Sequence, residues 1–281
     1  MHTIRKVLTK AESFLLKKGV PDARLDAELI ISYVLSCQRL ELYLDIDRCL
    51  NEKDTQSIRS YIVRRGNREP VQYIIGNVFF CDLKLTIRKG VLIPRPETEE
   101  LIEIIFESFR DKACPARILD LGTGSGAIAL SLAKIYPQSH ITAVDYSFEA
   151  IQLARENALH SNLEQTITFI RTSWLEDIRG CFDLIVSNPP YLTEQEYKCT
   201  AKEVHDYEPK TALVAGDDGI AALNLILNEA HLYLAQGGRI FLETGCKHHE
   251  RLLSIANLIG YIDIQSKTDL SGRDRFFLAQ K

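Results

Sequence analysis

Apolar residues recur at three- and four-residue steps through the first seventy positions, which is the spacing of one face of an α-helix. The stripe of a first helix is formed by Ile4, Val7, Leu8, Ala11, Phe14 and Leu15. After Pro21, which favours a turn or a helix start, a second stripe comprises Leu25, Leu29, Ile30, Tyr33 and Val34. Asn51 is a suitable N-cap for a further helix. We therefore predict a small helical bundle at residues 1–74.

The period of the pattern shortens to two residues after this region. Polar residues alternate with Leu83, Leu85 and Ile87. Lys89-Gly90 is predicted to form the turn that leads into a partner strand at 91–93. Residues 75–93 are thus expected to form a β-hairpin linker.

Short strands and helices alternate from residue 94 onward. Pro94-Arg95-Pro96 ends the extended segment, and the acidic residues just after it favour a helix start because they complement the helix dipole. The expected strands are 117–121, 140–145, 166–170, 182–187, 238–243, 261–265 and 274–280. The helices expected between them are 126–136, 148–160, 218–235 and 247–259. This alternation predicts an α/β fold: a Rossmann-like domain at 94–281 whose mostly parallel, seven-stranded sheet has helices on both faces.

The composition is that of an ordinary globular protein. The 281 residues are 46% hydrophobic and 26% charged, and no apolar run approaches the roughly 18 residues of a membrane span. The net charge of −4 argues against a long nucleic-acid track, so no direct nucleic acid partner is expected. Seven scattered cysteines without a CxxC pair indicate reduced thiols in a cytoplasmic protein. No metal site is expected, and the adjacent His248 and His249 are predicted to lie at a solvated helix start.

A glycine-rich loop is the first candidate for chemistry. An apolar strand ends at Asp120-Leu121 and runs into Gly122, Thr123, Gly124, Ser125 and Gly126 at the start of a helix. Glycines let a ligand approach the backbone, and a helix N-terminus offers free N–H groups. Asp145 closes the next strand, where a carboxylate accepts hydrogen bonds from both hydroxyls of a ribose. A tight turn and a solvated carboxylate would give the same pattern without a ligand.

Two further segments fall at the same predicted edge of the sheet. Trp174 follows the strand 166–170, and its ring is large enough to cover an adenine, although a core or lid tryptophan would occupy the same position. Glu243-Thr244-Gly245 ends a later strand and is compatible either with a pocket wall or with a simple turn.

The tetrapeptide Asn188-Pro189-Pro190-Tyr191 follows the apolar strand 182–187 and is the most informative stretch of the chain. Two consecutive prolines cannot continue a parallel strand, so they fix the backbone just beyond its carboxyl end. There, Asn188 Oδ1 and the Pro189 carbonyl could accept both N–H bonds of an amide or exocyclic amine, with Tyr191 stacked on it. This orientation would turn the nitrogen lone pair toward a methyl donor without a general base. A proline-rich loop without chemistry is the plain alternative.

Several segments together resemble a known family. They are 70–76, 91–99, 120–126, 188–191, 208–209, 216–219 and 272–275. In this order they resemble the release factor glutamine methyltransferases, which are class I S-adenosylmethionine-dependent methyltransferases. The resemblance covers nearly the whole chain, and the stretch at 91–99 is its most specific part.

The resemblance implies S-adenosylmethionine as the methyl donor and the glutamine of a Gly-Gly-Gln motif in class 1 peptide chain release factors as the acceptor. It implies that the helical N-terminal domain contacts the release factor. The cofactor-binding residues implied are Gly122, Thr123, Gly124, Ser125, Gly126, Asp145, Trp174 and Asn188. The substrate-binding residues implied are Asn188, Pro189, Pro190 and Tyr191, and Asn188, Pro189 and Tyr191 would be catalytic.

Other functions fit parts of the same pattern. An adenine-N6 methyltransferase of DNA or RNA would present a flipped exocyclic amine to the same tetrapeptide. A cofactor-binding module without activity would need the glycine loop but not Asn188 and Tyr191. A dinucleotide-dependent oxidoreductase would share the glycine loop and Asp145.

Overall fold

The computed structural model describes residues 2–281, which divide into two compact units. The first unit runs to Asn77 and also includes Ala201–Tyr207. The second comprises Val78–Thr200 and Glu208–Lys281. The sequence-based division placed all of 94–281 in one domain, and the assignment of Ala201–Tyr207 to the first unit differs from it.

The first unit is a helical bundle, as predicted. Its elements before Asn77 are β1 (His2–Thr3), α1 (Ile4–Lys17), α2 (Ala23–Leu35), α3 (Glu41–Leu44), β2 (Cys49–Leu50), α4 (Glu52–Gly66) and α5 (Val71–Ile75). Asn51 caps α4, since its Oδ1 accepts a hydrogen bond from the Asp54 backbone N–H at 2.8 Å. The apolar stripes of α1, α2 and α4 meet in one core that contains Leu8, Leu15 and Ile30.

The remaining elements follow in chain order. They are β3 (Asn77–Phe80), β4 (Leu83–Thr86), α6 (Pro96–Phe109), β5 (Arg117–Leu121), α7 (Ala127–Ile135), β6 (His140–Asp145), α8 (Phe148–His160), β7 (Ile167–Arg171), β8 (Phe182–Ser187), α9 (Glu194–Lys198), α10 (Lys202–Tyr207), α11 (Ala221–Tyr233), β9 (Leu234–Glu243), α12 (His249–Ile259), β10 (Ile262–Thr268) and β11 (Asp274–Gln280). A 3₁₀ turn spans Lys210–Ala212. Nowhere in residues 2–281 does a helix combine the length and apolarity needed to cross a bilayer.

The helix α10 is joined to the rest of the first unit by Glu203, which bonds to two arginines there. Glu203 accepts hydrogen bonds from Arg65 Nη2 at 2.8 Å and from Arg68 Nε at 2.7 Å. Arg65 is 5% exposed and also donates to Asp26 Oδ2 at 2.6 Å. Two guanidinium groups thus share two carboxylates, and the loss of either carboxylate would leave a positive charge uncompensated.

The hairpin forms within the predicted linker, but with a different turn. β3 and β4 form a two-stranded sheet joined by Cys81 and Asp82, with Cys81 in the left-handed region at φ +47°. The predicted turn at Lys89-Gly90 is therefore wrong for the hairpin, and residues 91–93 are not a strand. The alternating pattern at 83–87 correctly predicted the strand β4, but its partner strand β3 precedes it in the chain.

The predicted mostly parallel, seven-stranded sheet is confirmed, with the order β10-β11-β9-β8-β5-β6-β7. The strands β9, β8, β5, β6 and β7 run parallel, whereas β11 pairs antiparallel with β9 on one side and with the edge strand β10 on the other. The order changes direction between β5 and β8, which is the position where open α/β sheets bind ligands. Leu121 pairs with Val144 on one side and with Ser187 on the other, so these strands end side by side.

The core lies on both faces of this sheet. Alternate residues of β5 separate the two layers, because Ile118 packs with α6 and α7 while Leu119 packs with α11 and α12. The sheet is thereby covered on each face, and its carboxyl edge is left to carry the loops after β5, β6 and β8.

Candidate active site

A cavity of about 850 Å³ lies at the carboxyl ends of β5, β6 and β8, within the second unit. The predicted site residues that line it are Gly122, Thr123, Gly124, Ser125, Asp145, Trp174, Asn188, Pro189 and Pro190. Gly126 and Tyr191 are not among the lining residues. The topology therefore brings the glycine loop, Asp145 and the double-proline loop to one place, as the sequence predicted.

The glycine loop is held by the neighbouring strand. The backbone N–H groups of Gly122 and Thr123 both donate to the Val144 carbonyl, at 2.9 and 2.8 Å. Gly122 and Gly124 have φ angles of +75° and +55°, which glycine adopts without a steric penalty. These bonds fix the loop against β6, and the cavity adjoins its backbone.

Gly126 has a packing role that differs from its predicted contact with cofactor. It precedes α7 with φ +85°, and a Cβ placed there would lie 3.2 Å from carbons of Ala154 and Leu130. The glycine thus allows α7 to pack closely on α8 behind the loop. Its prediction as a cofactor-binding residue is not matched by a position on the cavity wall.

Asp145 is shaped as an acceptor for two donors. Its Oδ2 accepts from the Gly124 N–H at 2.9 Å and its Oδ1 accepts from the Ser147 N–H at 2.9 Å. Burial raises the pKa of Asp145, while these backbone bonds act in the opposite direction. Since a carboxylate oxygen has two lone pairs, each oxygen keeps one for a ligand, and the carboxylate lines the cavity.

Asp120 lies beneath the loop and does not line the cavity. Its Oδ2 accepts from the Thr123 hydroxyl at 2.6 Å, and its Oδ1 has no hydrogen-bond partner in residues 2–281. Burial raises the pKa of Asp120 to about 7, against the effect of the Thr123 bond. The carboxyl group therefore shapes the loop from below.

The aromatic side of the cavity contains one predicted and two unpredicted residues. Trp174 lines it with φ +48°, and its ring edge lies 3.7 Å from where a Cβ on Gly122 would stand. Tyr146 and Phe148 also line it and are about half exposed. Trp174 also packs against the core, and its role in covering an adenine stays a prediction.

Asn188 is joined to a buried carboxylate through a hydroxyl that the sequence analysis did not single out. Its Nδ2 donates to Thr98 Oγ1 at 3.0 Å, and the Thr98 hydroxyl donates to Glu243 Oε2 at 2.7 Å. Thr98 lies in the stretch 91–99 that carries the family resemblance, but nothing in the sequence reveals its partners. Glu243 is 1% exposed and is a buried hydrogen-bond acceptor, none of the residues 243–245 lines the cavity, and the chain turns directly after them, with the His248 N–H donating to the Gly245 carbonyl at 3.1 Å.

Tyr191 differs from its predicted place as a stacking ring. Its hydroxyl donates to Glu243 Oε1 at 3.1 Å, and its ring centroid lies 5.7 Å from Arg275 Cζ. Burial raises the pKa of Tyr191, so the phenol stays protonated and donates. With its hydroxyl fixed behind the loop, the ring lies outside the cavity lining, and a stacking role stays a prediction.

A second wall of the cavity is tied together by an ion pair. Glu208 accepts from Arg95 Nη2 at 2.6 Å and from the Ile93 N–H at 3.4 Å. The pair fixes Pro94 and Pro209, which both line the cavity. Both segments carry the resemblance noted above, although no role was predicted for them.

The histidine pair is buried, so the prediction of a solvated helix start is wrong. His248 and His249 are 8% and 4% exposed. His249 Nε2 lies 2.7 Å from the Thr244 hydroxyl, which fastens α12 to the end of β9. Within residues 2–281, no three His, Cys, Asp or Glu side chains are grouped in a way that could hold a metal ion.

Comparison with known proteins gives matches over both parts of the chain. Residues 6–76 match the family model described as the PrmC N-terminal domain, and residues 100–207 match the methyltransferase small domain. A release factor glutamine methyltransferase of Geobacter sulfurreducens is 39% identical over 97% of this chain and 95% of the relative. One of Chlorobaculum tepidum is 37% identical over 97% of this chain and 95% of the relative.

Solved structures share the fold. A methyltransferase from Pyrococcus furiosus has a TM-score of 0.52 at 19% identity, covering 72% of this chain and 90% of its own. The T. thermophilus 16S rRNA N2 G1207 methyltransferase in complex with AdoMet and guanosine has a TM-score of 0.54 at 19% identity, covering 73% of this chain and 49% of its own. At this identity the likeness supports a methyltransferase-like Rossmann fold.

Proposed function

Because the chain belongs to the release factor glutamine methyltransferase family, we propose that it methylates the side-chain amide nitrogen (N5) of the glutamine in the Gly-Gly-Gln motif of class 1 peptide chain release factors. The methyl donor is S-adenosylmethionine. The observation that carries the proposal is the meeting of the glycine loop, Asp145 and Asn188–Pro190 in one cavity.

The cavity fits the cofactor in size and in chemistry. Asp145 offers one free lone pair on each oxygen to the two ribose hydroxyls, and Trp174 lines the space assigned to the adenine. The backbone of Gly122–Ser125 borders the space for the amino-acid part. When bound, S-adenosylmethionine supplies an electrophilic methyl group on a positively charged sulfur.

The double-proline loop suits an amide nitrogen because it presents acceptors without competing donors. Proline has no backbone N–H, so the loop offers carbonyl oxygens at Pro189 and Pro190 and the side chain of Asn188. Asn188 Nδ2 is engaged by Thr98, which leaves Oδ1 as its group for the cavity. Accepting both substrate N–H bonds at Asn188 Oδ1 and the Pro189 carbonyl holds the nitrogen with its lone pair toward the methyl group. As the N–C bond formed, the bond between the methyl group and the donor sulfur would break and release a neutral thioether, and the nitrogen would lose one proton to water.

The partner and compartment follow from the same proposal. The substrates are class 1 release factors, which places the protein in translation termination and in the cytoplasm. We assign the helical region at residues 1–74 to release factor docking, residues 75–93 to the hairpin linker and residues 94–281 to catalysis. The adenine-N6 alternative receives no support from the relatives, which are named release factor glutamine methyltransferases.

The test uses the purified full-length chain with radiolabelled S-adenosylmethionine. A release factor should gain label at the Gly-Gly-Gln glutamine, and a release factor with that glutamine changed to alanine should not. Asn188→Ala should lower kcat by about 100-fold or more, since one of two positioning acceptors is lost, while the protein remains folded. Label entering an adenine-containing oligonucleotide instead of the release factor would replace the proposal with the adenine alternative.

A further inference from the structure

The strongest unassigned feature is a chain of hydrogen bonds that begins at Asn188, passes through Thr98 on the same cavity wall and ends at the buried Glu243. It runs from Asn188 Nδ2 to the Thr98 hydroxyl at 3.0 Å, and from that hydroxyl to Glu243 at 2.7 Å. Tyr191 donates to the other oxygen of Glu243 at 3.1 Å. Thr98 and Glu243 are 4% and 1% exposed, so water competes little for these bonds.

The donors and acceptors of this chain fit together in one direction. An ionised carboxylate only accepts, so the single O–H of Thr98 and the O–H of Tyr191 must both point at Glu243. Thr98 Oγ1 then has lone pairs but no hydrogen left for Asn188. It can pair with the N–H side of the Asn188 amide, and it repels the oxygen side.

We propose that Thr98 and Glu243 are positioning residues that fix the orientation of the Asn188 amide, so that Oδ1 and not Nδ2 is presented to the substrate nitrogen. An asparagine amide is nearly symmetrical in shape and is oriented only by its partners. The reversed amide would point two N–H donors at the N–H donors of the substrate. This inference rests on the proposed function, and it assigns roles to residues that make their contribution through Asn188.

The ionised state of Glu243 depends on the groups that face it. Burial raises the pKa of Glu243 and the charge of Glu97 acts in the same direction, while the donors Thr98 and Tyr191 and the charge of Arg275 lower it. A protonated Glu243 that donated to Thr98 Oγ1 would free the Thr98 hydrogen for Asn188 Oδ1, and the amide would reverse. The positioning thus weakens as the pH falls.

The experiment is a double-mutant cycle between Thr98 and Asn188. Thr98→Val keeps the shape but removes the hydroxyl, and we expect kcat to fall at least tenfold with cofactor affinity within threefold of wild type. Thr98→Ser restores the hydroxyl and should recover most of the rate. If Thr98 acts through Asn188, the double variant Thr98→Val with Asn188→Ala should be no slower than Asn188→Ala alone.

A control variant should behave like the wild-type protein. Thr142→Val removes a buried hydroxyl of β6 outside the cavity lining and should keep the wild-type kcat. If the losses of rate multiply in the double variant, Thr98 contributes independently of Asn188, and the proposed positioning role is overturned. A wild-type kcat in Thr98→Val would overturn it as well. A wild-type protein that binds cofactor but does not methylate the release factor would instead refute the proposed function.

The pH profile gives a second readout. The wild-type rate should decrease on acidification, because protonation of Glu243 reverses the Asn188 amide. Thr98→Val lacks the connecting hydroxyl, so its profile should be flatter over the same range. pH profiles of equal shape in the two proteins would contradict the proposal that Glu243 acts on Asn188 through Thr98.

Discussion

Asp145→Asn should weaken cofactor binding without removing the fold. In the wild-type protein each oxygen of Asp145 already accepts one backbone N–H and has one lone pair left. Two ribose hydroxyls would thus donate to a charged acceptor, and such bonds contribute about 1.5–3 kcal/mol each. Asparagine replaces one oxygen by an NH₂ group and makes the other neutral, where a bond contributes about 0.5–1.5 kcal/mol.

The difference between these two states sets the expected size of the effect. A loss of about 2–4 kcal/mol corresponds to a dissociation constant about 30- to 1,000-fold higher. Isothermal titration calorimetry with S-adenosylmethionine measures it directly, and no release factor is needed.

A second aspartate controls for the removal of a negative charge that accepts backbone hydrogen bonds. Asp183 Oδ2 also accepts from two backbone N–H groups, those of Ala116 and Arg117 at 2.8 and 2.9 Å, but Asp183 does not line the cavity. Asp183→Asn should keep the wild-type affinity. An affinity of Asp145→Asn within threefold of wild type would refute the assignment of this carboxylate to the ribose.

Two further predictions concern the free energy of unfolding, measured by urea denaturation. Gly126→Ala should destabilise the protein by about 2–4 kcal/mol, because the φ of +85° costs about 1–2 kcal/mol and the added methyl meets carbons at 3.2 Å. Gly260→Ala, at φ +100° in open space, should show only the cost of the backbone conformation. Equal losses of stability in the two variants would contradict the packing role of Gly126. Tyr136→Phe should stabilise by about 1 kcal/mol, since this buried hydroxyl has no hydrogen-bond partner in residues 2–281. Burial raises the pKa of Tyr136 to about 12, so between about pH 10 and 12 the unfolded state loses a proton that the folded state keeps. The stability of the wild-type protein therefore falls as the pH rises over this range. The difference in stability between Tyr136→Phe and the wild-type protein should widen accordingly. An advantage that narrowed above pH 10 would refute this account.

The pattern of apolar and polar residues along the chain predicted the main architecture, because buried parallel strands and amphipathic helices each have a characteristic periodicity. β5, β6, β8 and β11 lie where the sequence predicted them, and α8 spans the predicted Phe148–His160. The hairpin turn was misplaced because alternation shows that a strand is half buried but does not say which neighbour pairs with it. The Lys89-Gly90 pair has turn chemistry and does bend the chain, with Gly90 at φ +97°, but it leads into the loop before α6.

The site could be predicted in its backbone but not in its side-chain partners. The local sequence predicts strand ends and glycine or proline loops, so Asp145 and Asn188 could be placed at the same carboxyl edge of the sheet. The bonds of Asn188 to Thr98, 90 positions away, and of Thr98 to Glu243, 145 positions away, depend on packing between distant elements. For the same reason His248 and His249 were predicted to be solvated, although both are buried where the start of α12 packs against other segments, among them Thr244 and Ser266.

The discontinuous make-up of the first unit has a consequence for chimeric proteins. A graft that exchanged the N-terminal bundle at one junction near Asn77 would leave its seven-residue complement, Ala201–Tyr207, in the recipient. The transplanted Arg65 and Arg68 would keep Asp26 but would lose the carboxylate that they share wherever the recipient lacks Glu203, and the excess positive charge would destabilise the graft. A functional swap between relatives therefore needs two cassettes cut from the same donor.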